Sequence, residues 1–208
     1  PGREQILPDH FALVRSSNLV ISFESLSDFE TAKAEFLRAA TVGDSRSQYM
    51  LGRIYERGLG VNRNPITAMK WYRLSAGQGH AIAQYTLAMM HQKGLLDSAS
   101  RPRSRSMGVG GIAASPSQRL GIAYVEALKW FELAAEQGVA DAQYNLGLMY
   151  ATGNGIPINF VTAHLWWSVA VDFGSEEARR KLVFLERLMS DSDLGKARSL
   201  AVEWRDNR

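Results

Sequence analysis

The chain has 208 residues, 46% of them hydrophobic and 22% charged, enough for one or two domains with a sizeable apolar core and too apolar for wholesale disorder. It contains no cysteine, which excludes disulfides, thiolate metal sites and cysteine nucleophiles. The formal charge of +3 is local, because Arg101, Arg103, Arg105 and Arg119 against Asp97 account for all of it, and no aromatic interleaves that stretch as in a nucleic-acid-binding face.

Self-similarity organises the rest. Gln48-Tyr49-Met50-Leu51-Gly52 recurs as Gln84-Tyr85-Thr86-Leu87-Ala88 and as Gln143-Tyr144-Asn145-Leu146-Gly147, at offsets of 36 and then 59. Ala68-Met69-Lys70-Trp71 recurs as Ala127-Leu128-Lys129-Trp130 and Ala163-His164-Leu165-Trp166, at offsets of 59 and then 36. Because 59 exceeds 36 by 23, the period is 36 with one insertion between Gln84 and Ala127. That insertion coincides with the Arg/Ser/Gly-rich stretch.

In chain order, a degenerate repeat is predicted over 8–43, carried by Ala32, Phe36, Ala39, Ala40 and Gly43. A clear repeat follows over 44–79, then one over 80–138 with a flexible basic loop at about 96–121, then one over 139–174. Residues 175–208 hold degenerate capping helices; a terminal unit of a stacked array must show water a polar outer face. Each unit reads as two helices. Ala142, Leu146, Met149 and Tyr150 have helical spacing that stops at Gly153-Asn154-Gly155, and Pro157 leads into a second helix with Ala163, Trp166, Trp167 and Ala170. Small residues at Gly52, Ala88, Gly147, Ala76 and Ala135 stand where helices would cross closely. The fold class is therefore all-α, a solenoid of stacked antiparallel helix pairs. Ala88 replacing the helix glycine, with the insertion, predicts looser packing in the second unit.

The strings from Ala142 to Tyr150, Gly153-Asn154-Gly155-Ile156-Pro157 and the Ala-x-x-Trp helix closing in Gly174 resemble Sel-one-like repeats (SLR), relatives of the tetratricopeptide repeat. The resemblance runs from about Leu26 to Phe173, and Ser190 to Arg205 looks like the closing helix common after bacterial arrays of this kind. It implies a right-handed superhelix serving as a scaffold for protein–protein contacts. Some cysteine-rich bacterial members of the family were linked to β-lactam binding or hydrolysis; this chain lacks their paired cysteines, so that activity is not carried over.

Candidate chemistry is sparse. His10, His80, His91 and His164 form no ligand-spaced pair, so structural roles and no metal or cofactor are expected. Glu176-Glu177 followed by Arg179, Arg180 and Lys181 fits acid at a helix N-terminus and base beyond it. No nucleophile elbow, P-loop or dinucleotide fingerprint occurs. The resemblance to tetratricopeptide arrays places the first helix of each pair on a concave surface. The outward positions are then Arg46, Tyr49, Arg53, Glu56 and Arg57 in the first clear unit and Ile82, Tyr85, Met89, Gln92 and Lys93 in the second. In the third they are Asp141, Tyr144, Leu148, Ala151 and Thr152. Such a groove grades from basic to apolar and suits a protein or peptide partner with acidic residues followed by an apolar anchor. The expected function is a non-catalytic scaffold or adaptor, monomeric or weakly oligomeric, without membrane span. The alternative is a binder or hydrolase of cell-wall-type ligands, which requires exposed groove tryptophans. The Arg101–Ser106 run is a rival contact site for acidic surfaces, with nucleic acid disfavoured. The lack of cysteine and of an initiator methionine fits an exported bacterial protein.

Overall fold

A computed structural model describes residues 26–94 and 116–207. Within them the chain forms α1 (Leu26–Thr41), α2 (Ser45–Arg57), α3 (Pro65–Gly77), α4 (Ala81–Gln92) and α5 (Pro116–Glu136). It continues through α6 (Ala140–Thr152), α7 (Phe160–Asp172), α8 (Glu176–Glu186) and α9 (Asp191–Asp206), with no strand among the described residues. The strongest contacts join α2 to α3, α4 to α5 and α6 to α7, and each second helix packs on the first helix of the next unit. This is the all-α repeat array that the 36-residue period predicts. No helix of the described residues is long and apolar enough to cross a membrane.

The local punctuation follows from side-chain chemistry. The side chains of Asp44, Asn64, Asn159, Ser175 and Ser190 each accept a hydrogen bond from the backbone N–H three residues on, satisfying a donor that the first helical turn leaves unpaired. Gly58 and Gly153 end α2 and α6 in the left-handed region, at φ 74° and 75°, which a side chain would resist. In α8, Glu176 pairs with Arg179 at 3.3 Å and Glu177 with Arg180 at 3.0 Å, acid first and base one turn later.

The core is one contact repeated. Tyr72, Phe131 and Trp167 share a register and are buried on the second helices, facing Gly52, Ala88 and Gly147 on the first. A Cβ on Gly52 would collide with the Tyr72 ring, and one on Gly147 with the Trp167 ring. The second unit differs from expectation: α4 and α5 make contacts as extensive as those of the other pairs. The physical reason is compensation, since the Ala88 methyl is matched by Phe131, smaller than the Trp and lacking the Tyr hydroxyl.

Two further departures come from register. The repeat period places the start of the second helix at residue 124, in line with Pro65 and Phe160, yet α5 begins at Pro116. Residues 116–121, expected in the loop, are helical and belong to about two extra turns on α5. Pro116 suits a first helical position, where its missing N–H has no partner to lose. The rest of the expected loop, with Arg101, Arg103 and Arg105, lies outside the described residues. In α8, Val183 stands at the small-residue register of Gly52, Ala88 and Gly147, and Glu203 at that of the core aromatics. Val183 stays 53% exposed, and α9 packs chiefly on α7.

Candidate functional site

The residues expected on the ligand face begin on α2. Arg46 and Arg57 are exposed at its two ends, and Tyr49 and Arg53 lie between them, one turn apart and half-buried. The Arg53 guanidinium donates to the Tyr49 hydroxyl at 3.0 Å and sits 5.8 Å from the Tyr49 ring centroid. Tyr49 also stacks on His80 at 5.0 Å and tilts against Tyr72 at 5.6 Å. Glu56 accepts from the Tyr72 hydroxyl at 2.7 Å, and burial, followed by that bond, drives the phenol far above its ordinary range.

His80 caps α4 through its ring, Nδ1 accepting from the Ala83 N–H at 3.2 Å. Burial pulls its pKa down, which keeps that nitrogen an acceptor. On α4, Ile82 and Lys93 are exposed, Gln92 is half-buried, and Met89 packs into the cluster around Phe131 and Leu146. Tyr85 tilts against Phe131 at 6.0 Å; burial, then the charge of Asp141, raises its phenol. On α6, Asp141 and Thr152 are exposed, whereas Tyr144, Leu148 and Ala151 pack around Trp167. The Tyr144 carbonyl accepts from the Trp167 indole at 3.0 Å.

Contacts thus connect the three first helices in one row, Tyr49 of α2 touching the cap of α4 and Tyr85 of α4 feeling Asp141 of α6. The expectation that all these positions stand free of core packing is corrected. Tyr49, Glu56, Tyr85, Met89, Tyr144 and Leu148 are held against neighbouring helices, Glu56 by the Tyr72 hydroxyl and the others by ring and apolar contacts. The exposed members are Arg46, Arg57, Ile82, Lys93, Asp141 and Thr152. They occupy two registers: Arg, Ile, Asp, which changes chemistry at every unit, and Arg, Lys, Thr, which keeps a base through two units before it changes. Of the five tryptophans, Trp71, Trp130, Trp166 and Trp204 are half-buried and Trp167 is buried.

Sequence reasoning missed a polar ladder beneath this face. Buried Gln48, Gln84 and Gln143 donate through Nε2 to the carbonyls of Ala40, Ala76 and Ala135, at 3.1, 3.1 and 3.0 Å. Gln78 then donates to Gln48 Oε1 at 2.6 Å, and Gln137 to Gln84 Oε1 at 2.7 Å. The signal was a glutamine before every repeat tyrosine, with Gln78 and Gln137 recurring at the same 59-residue offset. The described histidines also have structural surroundings, while His10 lies outside the described residues. His164, buried in α7, lies 3.0 Å from Glu186 Oε1 and 3.2 Å from Ser168 Oγ. Glu186 in turn meets Arg198 of α9 at 3.5 Å; the bond from His164 is the main cause holding its carboxyl below the usual range.

Comparison with known proteins agrees with this architecture. The model of the Sel1 repeat matches residues 45–80, 81–105, 123–139 and 140–172. Chitin synthase regulatory factor 3 of Schizosaccharomyces pombe is 31% identical over 155 residues, covering 66% of this chain and 17% of that protein. The DAP3-binding cell death enhancer 1 of Rattus norvegicus is 35% identical over 129 residues, covering 61% of this chain and 24% of that protein. The chain therefore spans about a quarter or less of the length of these curated relatives. The crystal structure of a Sel1 repeat protein from Oxalobacter formigenes superposes with a TM-score of 0.55 at 28% identity, covering 72% of this chain and 95% of that one. With helix pairs, register and matched repeats in agreement, the chain belongs to the Sel1 repeat family.

Proposed function

We propose that the chain is a non-catalytic scaffold that holds a segment of another protein along the first-helix face of α2, α4 and α6. The carrying observation is the contrast between registers. Fully buried residues repeat in kind from unit to unit, such as Gln48, Gln84 and Gln143 or Leu51, Leu87 and Leu146, while Arg46, Ile82 and Asp141 differ at one exposed register and the bases Arg57 and Lys93 give way to Thr152 at another. Positions released from packing are the ones able to encode a ligand. Relatives named as a regulatory factor and as a DAP3-binding enhancer support a binding role over a catalytic one. Arg46, Arg53 and Arg57 at one end suit an acidic segment, and Ile82 offers an apolar contact further along. The test compares proteins captured by the wild-type chain with those captured by an Arg53→Glu, Arg57→Glu variant of unchanged helicity. Selective loss of a partner with an acidic segment is expected; an unaltered set of partners refutes this face.

A further inference from the structure

The second helices carry an exposed apolar stripe away from that face, and the chain itself shows what covers it. In α7 the stripe is Val161, Leu165 and Val169, and α9 packs on this helix beyond the two neighbours that every second helix has. Val169 is wholly buried. The Trp204 ring meets Trp166 edge-on at 6.1 Å, Arg205 Nε pairs with Asp172 at 2.6 Å, and Ala197 and Ala201 are buried.

One repeat earlier, α5 presents the same features with no described helix packed over them. Val125 stands for Val161, Leu133 for Val169, Trp130 for Trp166 and Glu136 for Asp172. Leu133 is 43% exposed and Val125 42%, and the extra turns of α5 extend the stripe to Ile122 at 60%. Among the described residues Glu136 is exposed without a salt-bridge partner, and its charge, after burial, raises the carboxyl of Glu132. The one polar replacement is Lys129 for Leu165, already paired with Glu126 at 2.9 Å. On α3, Gly77 replaces the acid, so that helix lacks the charged end.

We infer that the outer face of α5 docks an amphipathic helix of another protein, built like α9. It would carry two small residues four apart, an aromatic three further on, and a base next to it for Glu136. Small residues let the helix axes approach over Leu133, the aromatic reaches Trp130, and the base supplies charge complementarity at the stripe's end. The site lies apart from the first-helix face and stands or falls separately.

The test titrates a labelled synthetic peptide of residues 190–207 into the 208-residue chain, followed by fluorescence anisotropy. Saturable binding is expected, weakened about ten-fold by Leu133→Asp and by Glu136→Lys. An Arg205→Glu peptide should recover affinity for the Glu136→Lys chain, and Arg53→Glu, Arg57→Glu should leave binding unchanged. Absence of binding, or binding indifferent to Leu133→Asp and Glu136→Lys, overturns the inference, the latter because the peptide then merely exchanges with α9 on α7. A wild-type dimer in light scattering that Leu133→Asp dissolves, without peptide binding, also overturns it and gives the face to a second copy.

Discussion

Phe173 occupies the register of Gln78 and Gln137, and across from it Gln143 Oε1 is buried with no hydrogen-bond partner among the described residues. In the two preceding units a glutamine amide closes that bond at 2.6 and 2.7 Å. Phe173 instead leaves its ring half in water, over Gly138. Phe173→Gln should complete the ladder and gain about 1 kcal/mol. Thermal unfolding should show a rise of about 2–4 °C, absent when Gln143 is first changed to Leu.

The helix-crossing glycines should respond to alanine oppositely to an open one. Gly147→Ala drives a methyl into the Trp167 ring, whose indole is anchored on the Tyr144 carbonyl. A cost of about 1–3 kcal/mol is expected, beyond the helix-propensity gain. Gly195 in α9 has nothing within 4 Å of a built Cβ, so Gly195→Ala should stabilise by about 0.5–1 kcal/mol. Urea unfolding of both variants checks the pair, and equal shifts of the same sign would contradict the packing account.

Acid sensitivity above the carboxylate range should come from histidine. Burial lowers His91 from 6.5 to about 4, with the Arg73 charge of α3 adding to it and Glu126 of α5 opposing it. The unfolded chain takes up this proton first as pH falls, so the stabilisation is complete above about 6.5 and is lost toward 4. Lowering pH from 7 to 4.5 should remove roughly 2 kcal/mol through this group. His91→Tyr, the residue of its own register at Tyr55 and Tyr150, should flatten that slope, leaving a smaller part from His80, whose pKa is also lowered.

Glu186 joins three helices, lying between His164 of α7 and Arg198 of α9 from its place on α8. Glu186→Ala leaves a buried imidazole without its carboxylate and should cost about 1–3 kcal/mol. Arg198→Ala, removing only the exposed arm, should cost well under 1 kcal/mol. Comparable losses in the two variants would count against the buried bond as the stronger tie.

How much of this was legible depends on whether a residue's role recurs. Gly52 against Tyr72 and Gly147 against Trp167 were visible as small and large positions, since close helix crossing tolerates few substitutions. The resemblance to tetratricopeptide arrays placed Tyr49 and Tyr85 on an outward face, yet it could not say that His80 and Phe131 would come to meet them. Two extra turns of α5 were hidden because the flanking Ser and Gly residues read as loop, whereas Leu120, Ile122 and Val125 continue a helical stripe. The array's change at α8 was already written in Val183 at the glycine register, whereas the matching change at Glu203 was visible only once Gly147 and Trp167 were known to touch.

The α4–α5 connection spans residues 93–115, against 58–64 and 153–159 in the neighbouring units, while the helices it joins pack as fully as theirs. Loop-closure entropy grows only with the logarithm of length, by about 1 kcal/mol between connections of these two lengths. The middle unit is accordingly a port in the array, a place where sequence can be spliced in or trimmed while the stacking on either side holds its alignment.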